Sequence, residues 1–347
     1  MRQSPDAFRY RYDDPSLYGF PINAGASGQS GLPRALSQHV RISEGVLPQI
    51  YAVLQSVSSD LNFGSQFSGF VYASPETNAH CSREPNGAVL IFISSALVQL
   101  LTPNELRFVV GHEFAHAHFI HHSYPSVDAE QEDARRLELA RASEISADRI
   151  GVACCHSTDH AIRAIVKTAA GLGDEHLQFD LVDYLRQGTA LRNEPDPSLA
   201  WSTHPPLILR ARAAVRFESI LHSARAGDDF VSPLHALDDE IFDELDIATH
   251  GEEGSKAARD AAFWSIAGRM CADGVLDAQE QRKMTEVFGS DKVDALRRLL
   301  AAETHTDALD LIDQRLQRTQ DALAQAPIAT RRRYDALVAN FQGDRDL

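Results

Sequence analysis

The segment from Val109 to His122, VVGHEFAHAHFIHH, contains five histidines and one glutamate within fourteen residues. His112 and His116 are four positions apart, so on an α-helix they lie one above the other on the same face. That geometry suits two nitrogen ligands of one metal ion. Glu113 follows the first histidine and can take a proton from a water that the metal activates. The pattern therefore predicts a packed helix built around a catalytic zinc site.

The residues that flank this pattern favour a buried helix over a chance occurrence. Thr102, Pro103 and Glu105 form a helix-start signal, with Thr at the N-cap, Pro at the first helical position and Glu three residues after the cap. Apolar residues frame the motif, and the helix is expected to run from Pro103 to about His122. Three further histidines lie off the ligand face and are predicted to be bystanders: His118, His121 and His122.

A catalytic zinc needs a third protein ligand and one open position. The candidate is Glu144, in the segment RASEISADRIG of the next long helical pattern. Asp148 is one helical turn further on and can hydrogen-bond the ring N–H of a ligand histidine. Taken alone, the two acidic residues would be interpreted as an exposed pair on a charged helix. Together with the preceding motif they predict one Zn²⁺ per chain.

The composition limits the partners of this chain. Its 347 residues are too many for one average domain, which predicts two. Hydrophobic residues make up 44% and charged residues 24%, which is typical of globular proteins. The formal net charge of -16 disfavours binding to phosphate backbones, because nucleic-acid-binding proteins need basic patches. Nucleic acid is therefore not expected as a partner, whereas a protein or peptide is.

Neither a secretory signal nor a membrane span is recognisable. The N-terminal residues MRQSPDAFRYRYDDPS contain no apolar core after their positive residues. The longest apolar run starts at Ala88, is shorter than the roughly 20 residues of a membrane helix, and contains Ser and Gln. The four cysteines lack C-x-x-C spacing, which predicts reduced thiols. These features predict a cytoplasmic protein.

Composition and periodicity divide the chain into four segments. Residues 1–35 are rich in Pro, Gly, Ser and aromatic residues and are predicted to form an extended arm. Residues 36–225 contain the metal motif and are predicted to form the catalytic domain. Residues 226–255 are strongly acidic, which predicts a linker with one short helix. Residues 256–347 have helical periodicity throughout and are predicted to form an all-α accessory domain.

The predicted fold class is α+β, with a helix-rich catalytic domain and a small sheet. A helical pattern runs from Leu36 to Leu61 and is interrupted or opened near Pro48. Two short runs, SGFVYAS and GAVLIFIS, have the composition of strands. The second run is either an exposed edge strand that binds a peptide by main-chain hydrogen bonds, or an internal core strand. Both alternatives remain open from sequence.

Four separated motifs resemble those of a known family. They are GHEFAHA, EISAD, NAHC and STHPPLILRA, and they occur in the same order as in the family. Together they resemble the gluzincin zinc metallopeptidases of family forty-eight, which include the CAAX prenyl proteases and HtpX. The resemblance covers about residues 36–222. It implies Glu144 as the third zinc ligand and Asp148 as its support. It also implies that two pairs lie at the active site: Asn78 and Ala79, which align the substrate backbone, and His204 and Arg210.

The chain departs from this family in two ways. Many members have membrane helices around the catalytic core, and none is recognisable here, which favours a soluble member acting on substrates other than prenylated ones. The C-terminal segment IAGRMCADGVLDAQEQRKMTEVFG resembles the small helical TerB-like domain of tellurite-resistance proteins, through an Ala-Asp-Gly turn followed by a helix with Glu280. This resemblance also agrees with a separate all-α domain.

The function predicted from these features is a soluble zinc endopeptidase with Glu113 as general base. His204 would stabilise the oxyanion that forms at the scissile carbonyl, although a His-Pro-Pro loop can also be simply a turn. The alternative is a zinc-containing, catalytically restrained protein that recruits partners through its C-terminal helices. In that case the N-terminal arm, or a Cys81 thiolate, would block the cleft.

Overall fold

The computed structural model describes residues 3–18, 30–121, 134–155, 157–177, 180–194, 196–273, 275–324, 331, 334, 335, 337 and 338. The strands are β1 (Val40–Arg41), β2 (Phe67–Tyr72), β3 (Ala79–Arg83) and β4 (Val89–Ser94). The helices before the acidic segment are α1 (Leu32–Gln38), α2 (Pro48–Leu61), α3 (Ser95–Leu100), α4 (Pro103–His118), α5 (Ala134–Cys155), α6 (Thr158–Ala170), α7 (Leu181–Asn193) and α8 (Leu207–Ala226). The remaining helices are α9 (Val231–Met270), α10 (Ala278–Phe288), α11 (Ser290–Ala302) and α12 (His305–Ala324). This content confirms the predicted helix-rich α+β class.

The chain divides into two compact units. Unit 1 comprises Met1–Ser16, Phe20–Leu191 and Trp201–Leu245, and unit 2 comprises Leu17–Gly19, Arg192–Ala200 and Asp246–Leu347. The division therefore falls inside the acidic segment 226–255. The boundaries of the four predicted segments stay a prediction. Within the described residues, no helix is both long and apolar enough to cross a membrane.

The sheet of unit 1 is four-stranded and mixed, in the order β1-β2-β4-β3. Strand β4 runs parallel to β2 and antiparallel to β3, and most of its residues are buried. The run GAVLIFIS is thus an internal core strand, which settles the alternative left open above. The two edge strands are β1 and β3. The sequence did not predict β3, because AHCSR lacks the apolar alternation of a half-buried strand.

The predicted helix from Leu36 to Leu61 is divided in the structure. Helix α1 ends at Gln38, β1 follows, and α2 starts at Pro48 and buries Ile50 together with other apolar residues. Pro48 occupies the first turn of α2, where its missing N–H would have had no helical partner. The proline therefore opens a helix rather than interrupting one.

Helix α4 begins as predicted and ends earlier. Thr102 and Glu105 form a complete capping box, in which each side chain accepts from the other residue's backbone N–H. The helix ends at His118 rather than near His122. Ile120 follows with φ of 60°, a left-handed conformation that β-branched residues rarely adopt. The chain turns sharply there, which decides where the next histidine lies.

Helices α4 and α5 pack at unusually close range through two glycines. A Cβ atom at Gly151 would lie 2.8 Å from the backbone oxygen of Phe108 and 2.7 Å from its ring. A Cβ atom at Gly111 would lie 2.9 Å from Cβ of Cys154. Because any side chain at these positions would separate the helices, the spacing between α4 and α5 depends on both glycines.

We expect Gly151→Ala to destabilise the protein by about 1–3 kcal/mol through overpacking against Phe108. Urea unfolding of the two proteins measures this difference. Gly188→Ala is the matched control, because Gly188 lies in α7 and its nearest neighbours would be 3.4 Å from the new Cβ. Alanine there should be neutral or stabilising, since it favours helix over glycine by up to about 1 kcal/mol. Equal stability of both variants would contradict the close-packing argument.

The N-terminal segment is not the predicted extended arm. It forms two short 3₁₀ turns, Pro5–Phe8 and Pro15–Tyr18, and Phe8 and Tyr10 are about 1% exposed. Phe8 packs edge-on against Phe217 of α8, with ring centroids 5.5 Å apart. The Tyr12 ring stacks on Phe242 of α9, with ring centroids 4.4 Å apart. Phe8, Tyr10 and Tyr12 are therefore core residues of unit 1.

The acidic segment is helical rather than a linker. The first part of α9 buries Leu234, Leu237 and Ile241, while its acidic residues face solvent or pair with arginines. Asp238 is buried and lies 2.5 Å from Arg149 of α5. The helix is broken at Gly251, whose φ of 73° and ψ of 164° are available to glycine alone without strain. The apolar residues of this segment recur at helical spacing among its many acidic residues. Their burial makes the segment a packed helix rather than a linker.

Unit 2 is all-α in its described part, as predicted. Its core combines residues from α9 to α12 with Leu337 and Val338 from the C-terminal residues. The large buried members from the helices are Phe263, Ile266, Met284, Phe288, Leu296 and Ile312. The resemblance to a TerB-like domain and the recruitment of partners by these helices stay predictions.

Candidate active site

Three predicted metal ligands lie together between α4 and α5. His112 and His116 come from successive turns of α4, and Glu144 comes from α5. Their candidate ligand atoms lie within 4.8 Å of one another. The two Nε2 atoms are 2.9 Å apart, and carboxylate oxygens of Glu144 lie 3.3 Å from His116 Nε2 and 3.5 Å from His112 Nε2. Two Nε2 ligands at about 2.0–2.1 Å from one tetrahedral zinc are roughly 3.3 Å apart, so the spacing fits that ion.

The hydrogen bonds around the cluster orient its candidate ligand atoms towards one another. Asp148 accepts a hydrogen bond from Nδ1 of His112 at 3.0 Å, which directs Nε2 of that ring at the cluster. Nδ1 of His116 is engaged by His121 at 2.7 Å. Oε2 of Glu144 is buried and has no hydrogen-bond partner. A buried acceptor without a donor costs free energy. A positive ion between the two imidazole Nε2 atoms and the Glu144 carboxylate would therefore stabilise the cluster.

Asp148 and Arg210 hold His112 in its orientation. Arg210 on α8 donates from Nε to Oδ2 of Asp148 at 2.7 Å and from Nη2 to Oδ1 at 2.6 Å. Such a bidentate pair is stronger and more directional than a single contact. Burial would raise the pKa of Asp148, but the Arg210 guanidinium lowers it, so the carboxylate stays ionised and accepts from the imidazole. The structure thus brings Asp148 and Arg210 to the site, where the sequence predicted them.

His116 is supported differently, by residues that the sequence did not reveal. Its Nδ1 lies against Nδ1 of His121, and Nε2 of His121 lies 2.8 Å from Oδ2 of Asp13. Burial lowers the pKa of His121 to about 4, so this ring is neutral. His121 is therefore not the predicted bystander. Helical periodicity places it off the ligand face, and only the turn at Ile120 brings its ring back to α4.

The other two histidines have different positions. His118 Nε2 lies 3.1 Å from Oδ1 of Asp6, and both side chains of this pair are partly or largely exposed. This contact joins α4 to the N-terminal segment without touching a candidate ligand. His122 lies outside the described residues. His118 is therefore a surface contact next to the site.

Glu113 is buried on α4 and faces the edge strand of the sheet. The Cys81 side chain on β3 forms a hydrogen bond with Glu113. Burial and this neighbouring carboxylate raise the pKa of Cys81 well above its ordinary value. The thiol therefore stays protonated at neutral pH, which opposes the predicted block of the cleft by a Cys81 thiolate. Glu113 also acts electrostatically on His116 and Arg210, so it faces the same cluster.

His204 lies at the open side of the cluster. Its Nε2 is 3.6 Å from Oε1 of Glu144, and its side chain is 61% exposed. Nδ1 of His204 lies 2.9 Å from Oγ1 of Thr203. The backbone N–H of His204 donates to Oγ of Ser202. These contacts hold the ring on the side that faces away from Glu144. The ring can therefore present Nε2 to a molecule that approaches the candidate metal position.

Strand β3 presents main-chain groups on its outer side. Asn78 O accepts from Ser94 N, and Glu84 N donates to Ala88 O, so the even-numbered residues of this strand bond inward to β4. Because bonding alternates along an antiparallel pair, the backbone groups of Ala79 and Cys81 point outward. The Asn78 side chain is itself exposed. The sequence-predicted pair Asn78 and Ala79 thus lies at the start of an edge strand whose middle residue contacts Glu113.

We expect Arg210→Leu to destabilise the protein by about 3–5 kcal/mol and to weaken metal binding, because Asp148 would be left as a buried charge without its partner. Arg216→Leu on the same helix is the control, since Arg216 pairs with Glu240 where both side chains are exposed by a third or more. Such a pair contributes about 0–1 kcal/mol. Thermal unfolding and zinc content of both variants give the comparison. If the two variants behaved alike, the proposed role of Arg210 would be wrong.

Comparisons with known proteins agree with this geometry. The sequence model of Peptidase family M48 matches residues 48–129 and 126–218. The chain is 21% identical over 244 residues to the plastoglobule-localized metallopeptidase 48, chloroplastic, of Arabidopsis thaliana, which is 60% of this chain and 71% of that protein. It is 38% identical over 78 residues to the protease HtpX homolog of Syntrophobacter fumaroxidans, which is 22% of this chain and 26% of that protein. No solved structure matches it.

The matched residues contain the whole cluster of candidate ligands. His112, His116 and Glu144 lie inside them, as do Asp148 and Arg210. The helix-rich fold with its small sheet, the His-His-Glu cluster and the sequence match point to the same group of proteins. Through residues 48–218 this chain belongs to peptidase family M48 and is a metallopeptidase of the zinc-dependent type.

Proposed function

We propose that this protein is an endopeptidase that binds one Zn²⁺ through His112, His116 and Glu144. The observation that carries the proposal is the cluster of two imidazole Nε2 atoms 2.9 Å apart and one buried carboxylate oxygen without a hydrogen-bond partner. Nitrogen and carboxylate ligands in this number match zinc sites that keep one position open for chemistry. Asp148 accepts from Nδ1 of His112 and is itself held by Arg210, so the two residues orient the His112 ring as such sites require.

The proton transfers of the proposed reaction fall to Glu113. Bound zinc supplies Lewis-acid polarisation and lowers the pKa of water at the site. Glu113 is adjacent in sequence to His112 and faces the same cluster, so its carboxylate can take the proton from the attacking water. It then delivers that proton to the leaving amine. A single carboxylate that acts first as base and then as acid completes the hydrolysis of a peptide bond.

His204 is proposed to stabilise the oxygen of the scissile carbonyl. Negative charge develops on that oxygen as water adds, and a donor positioned there beforehand lowers the barrier. His204 fits this role because its Nε2 faces the cluster from the open side while the other nitrogen contacts Thr203. With Nδ1 accepting from the Thr203 hydroxyl, Nε2 carries the proton and can donate it.

A polypeptide substrate is proposed to lie along the outer edge of β3. The outward main-chain groups of Ala79 and Cys81 can add a substrate strand by backbone hydrogen bonds, which is tolerant of sequence. The exposed Asn78 side chain can add a contact to the substrate backbone. Because Cys81 neighbours Glu113, a peptide on this edge passes beside the general base. The proposed substrate class is therefore an extended segment of protein.

We expect Glu113→Gln to retain zinc and to lower casein cleavage by about 10²–10⁴-fold, since the amide cannot accept the proton. Glu144→Ala should lose both zinc and cleavage, because it removes a ligand. Metal content by atomic emission and cleavage by gel assay distinguish the two variants. Full turnover by the zinc-loaded Glu113→Gln protein would exclude the proposed general base, and wild-type protein without bound zinc would exclude the proposed metal site.

We expect His204→Asn to lower kcat by about 10²–10³-fold with little change in KM, because oxyanion stabilisation acts on the transition state. Zinc content should stay at the wild-type level. His176→Asn is the control, since His176 is an exposed loop histidine at which no change is expected. A rise in KM alone, with kcat preserved, would assign His204 to substrate binding instead.

A further inference from the structure

We propose that Asp13 and His121 are positioning residues for the metal site, because they hold His116 through a hydrogen-bonded relay from the N-terminal segment. The inference rests on the proposed role of His116 as a ligand and extends the site beyond the residues that match the family. Asp13 precedes residue 48, at which the family match begins. The metal centre therefore includes a segment that the family resemblance does not cover.

The relay has two contacts of ordinary hydrogen-bond length. His116 Nδ1 and His121 Nδ1 are 2.7 Å apart, and His121 Nε2 and Asp13 Oδ2 are 2.8 Å apart. The Asp13 carboxylate accepts from Nε2 of His121, and Nδ1 of His121 is left to accept on the side that faces His116. Nδ1 of His116 must then be the donor, which leaves Nε2 of His116 as the atom directed at the candidate metal position.

The two candidate histidine ligands are thus held by different means to the same effect. Asp148 accepts directly from Nδ1 of His112, whereas Asp13 acts on His116 through the intervening ring of His121. In each case a buried carboxylate fixes the tautomer and increases the electron density of the ligand ring. Nothing in helical spacing indicates the second arrangement, since Asp13 is 108 residues from His121.

Asp13 is itself held in a rigid position. Its side chain is fully buried and accepts from Oγ of Ser143 at 3.1 Å, next to Glu144 on α5. Arg9 Nε lies 3.3 Å from the same carboxylate. The backbone N–H of Tyr10 donates to Oγ of Ser146 at 3.0 Å. The N-terminal segment is therefore bonded to α5 on both sides of the third candidate ligand.

The turn after α4 gives independent support. Ile120 has φ of 60°, a backbone conformation that is strained for a β-branched residue. This turn returns the chain so that the His121 ring lies 4.9 Å from the His116 ring and 5.5 Å from the Phe119 ring, centroid to centroid. A strained residue at this point is explained if its neighbour must contact a ligand.

The relay predicts that the N-terminal residues support the metal site and do not inhibit cleavage. If the segment blocked the cleft, its removal would increase cleavage. Because residues 3–18 supply Asp13 and bury Phe8 and Tyr10 in the core, their removal should instead weaken metal binding and stability. The N-terminal segment is thus part of the catalytic unit.

The experiment measures zinc affinity of the full chain by competition with a chromophoric chelator. His121→Phe keeps the shape of the ring and removes both nitrogens, and Asp13→Asn keeps the shape of the side chain and removes its charge. We expect each variant to bind zinc about 10–100-fold more weakly than wild type, which is typical of lost support behind a ligand histidine. Unchanged affinity in both variants would overturn the relay.

Matched controls come from the neighbouring pair His118 and Asp6. This pair also joins α4 to the N-terminal segment, at 3.1 Å, but touches no candidate ligand. His118→Phe and Asp6→Asn should therefore leave zinc affinity at the wild-type value. If these controls weakened zinc as much as His121→Phe does, docking of the segment rather than the relay would be responsible, and the inference would be wrong.

A spectroscopic test separates positioning from general stability. In the Co²⁺-substituted protein, the exchangeable imidazole N–H protons of His112 and His116 give separate paramagnetically shifted proton signals. His121→Phe and Asp13→Asn should move or broaden the His116 signal and leave that of His112 in place. A merely structural loss would move both signals or neither, and either result would count against the relay. Because Asp13→Asn is isosteric, it provides this test even if His121→Phe folds poorly.

The outcomes distinguish a failure of the proposed function from a failure of the relay. Wild-type protein that binds no zinc or Co²⁺ would overturn both the proposed function and the relay. Wild-type protein that binds zinc and cleaves casein, with His121→Phe and Asp13→Asn unchanged in affinity, would overturn the relay alone. The relay is supported when only the His121 and Asp13 variants lose affinity.

Discussion

The site depends above all on the close packing of α4 against α5. The two helices carry all three candidate ligands, and their separation is set by Gly111 and Gly151, where no side chain fits. At this separation the carboxylate of Glu144 reaches the Nε2 atoms of both histidines. A larger spacing would leave three unrelated side chains on two helices. Two residues without side chains therefore make the metal chemistry possible.

The close packing of α4 and α5 buries charged side chains. Residues elsewhere in unit 1 form ion pairs with several of them. Arg210 on α8 neutralises Asp148, and Arg149 on α5 pairs with Asp238 on α9 while lying over the Tyr10 ring. Among the carboxylates of the described residues, Glu144 retains a buried oxygen without a hydrogen-bond partner, 3.6 Å from Arg210 Nη2. Since unpaired buried charge is costly, this residual acceptor marks where a cation stabilises the protein as well as its chemistry.

The N-terminal residues up to Ser16 and the first part of α9 belong to the same compact unit as α4 and α5. Both were expected to be peripheral, one as an arm and the other as a linker. Phe8, Tyr10 and Leu237 show why that expectation is wrong, because each is buried in unit 1. The amino-acid composition of such a segment is dominated by the residues that face solvent. The position of the segment is determined by the few residues on its other side that are apolar or form ion pairs. The matched family residues thus need flanking segments to complete their core.

The sequence by itself determined the local chemistry: the helix start at Thr102, the spacing of His112 and His116, and the pairing of two acidic residues one turn apart. These features depend on helical periodicity and capping, which act over a few residues. Only the tertiary structure decided that β3 forms an edge of the sheet beside Glu113 and that Asp13 contacts His121, which in turn contacts His116. Those contacts join residues up to 108 positions apart and depend on a left-handed turn at Ile120, which no local pattern encodes.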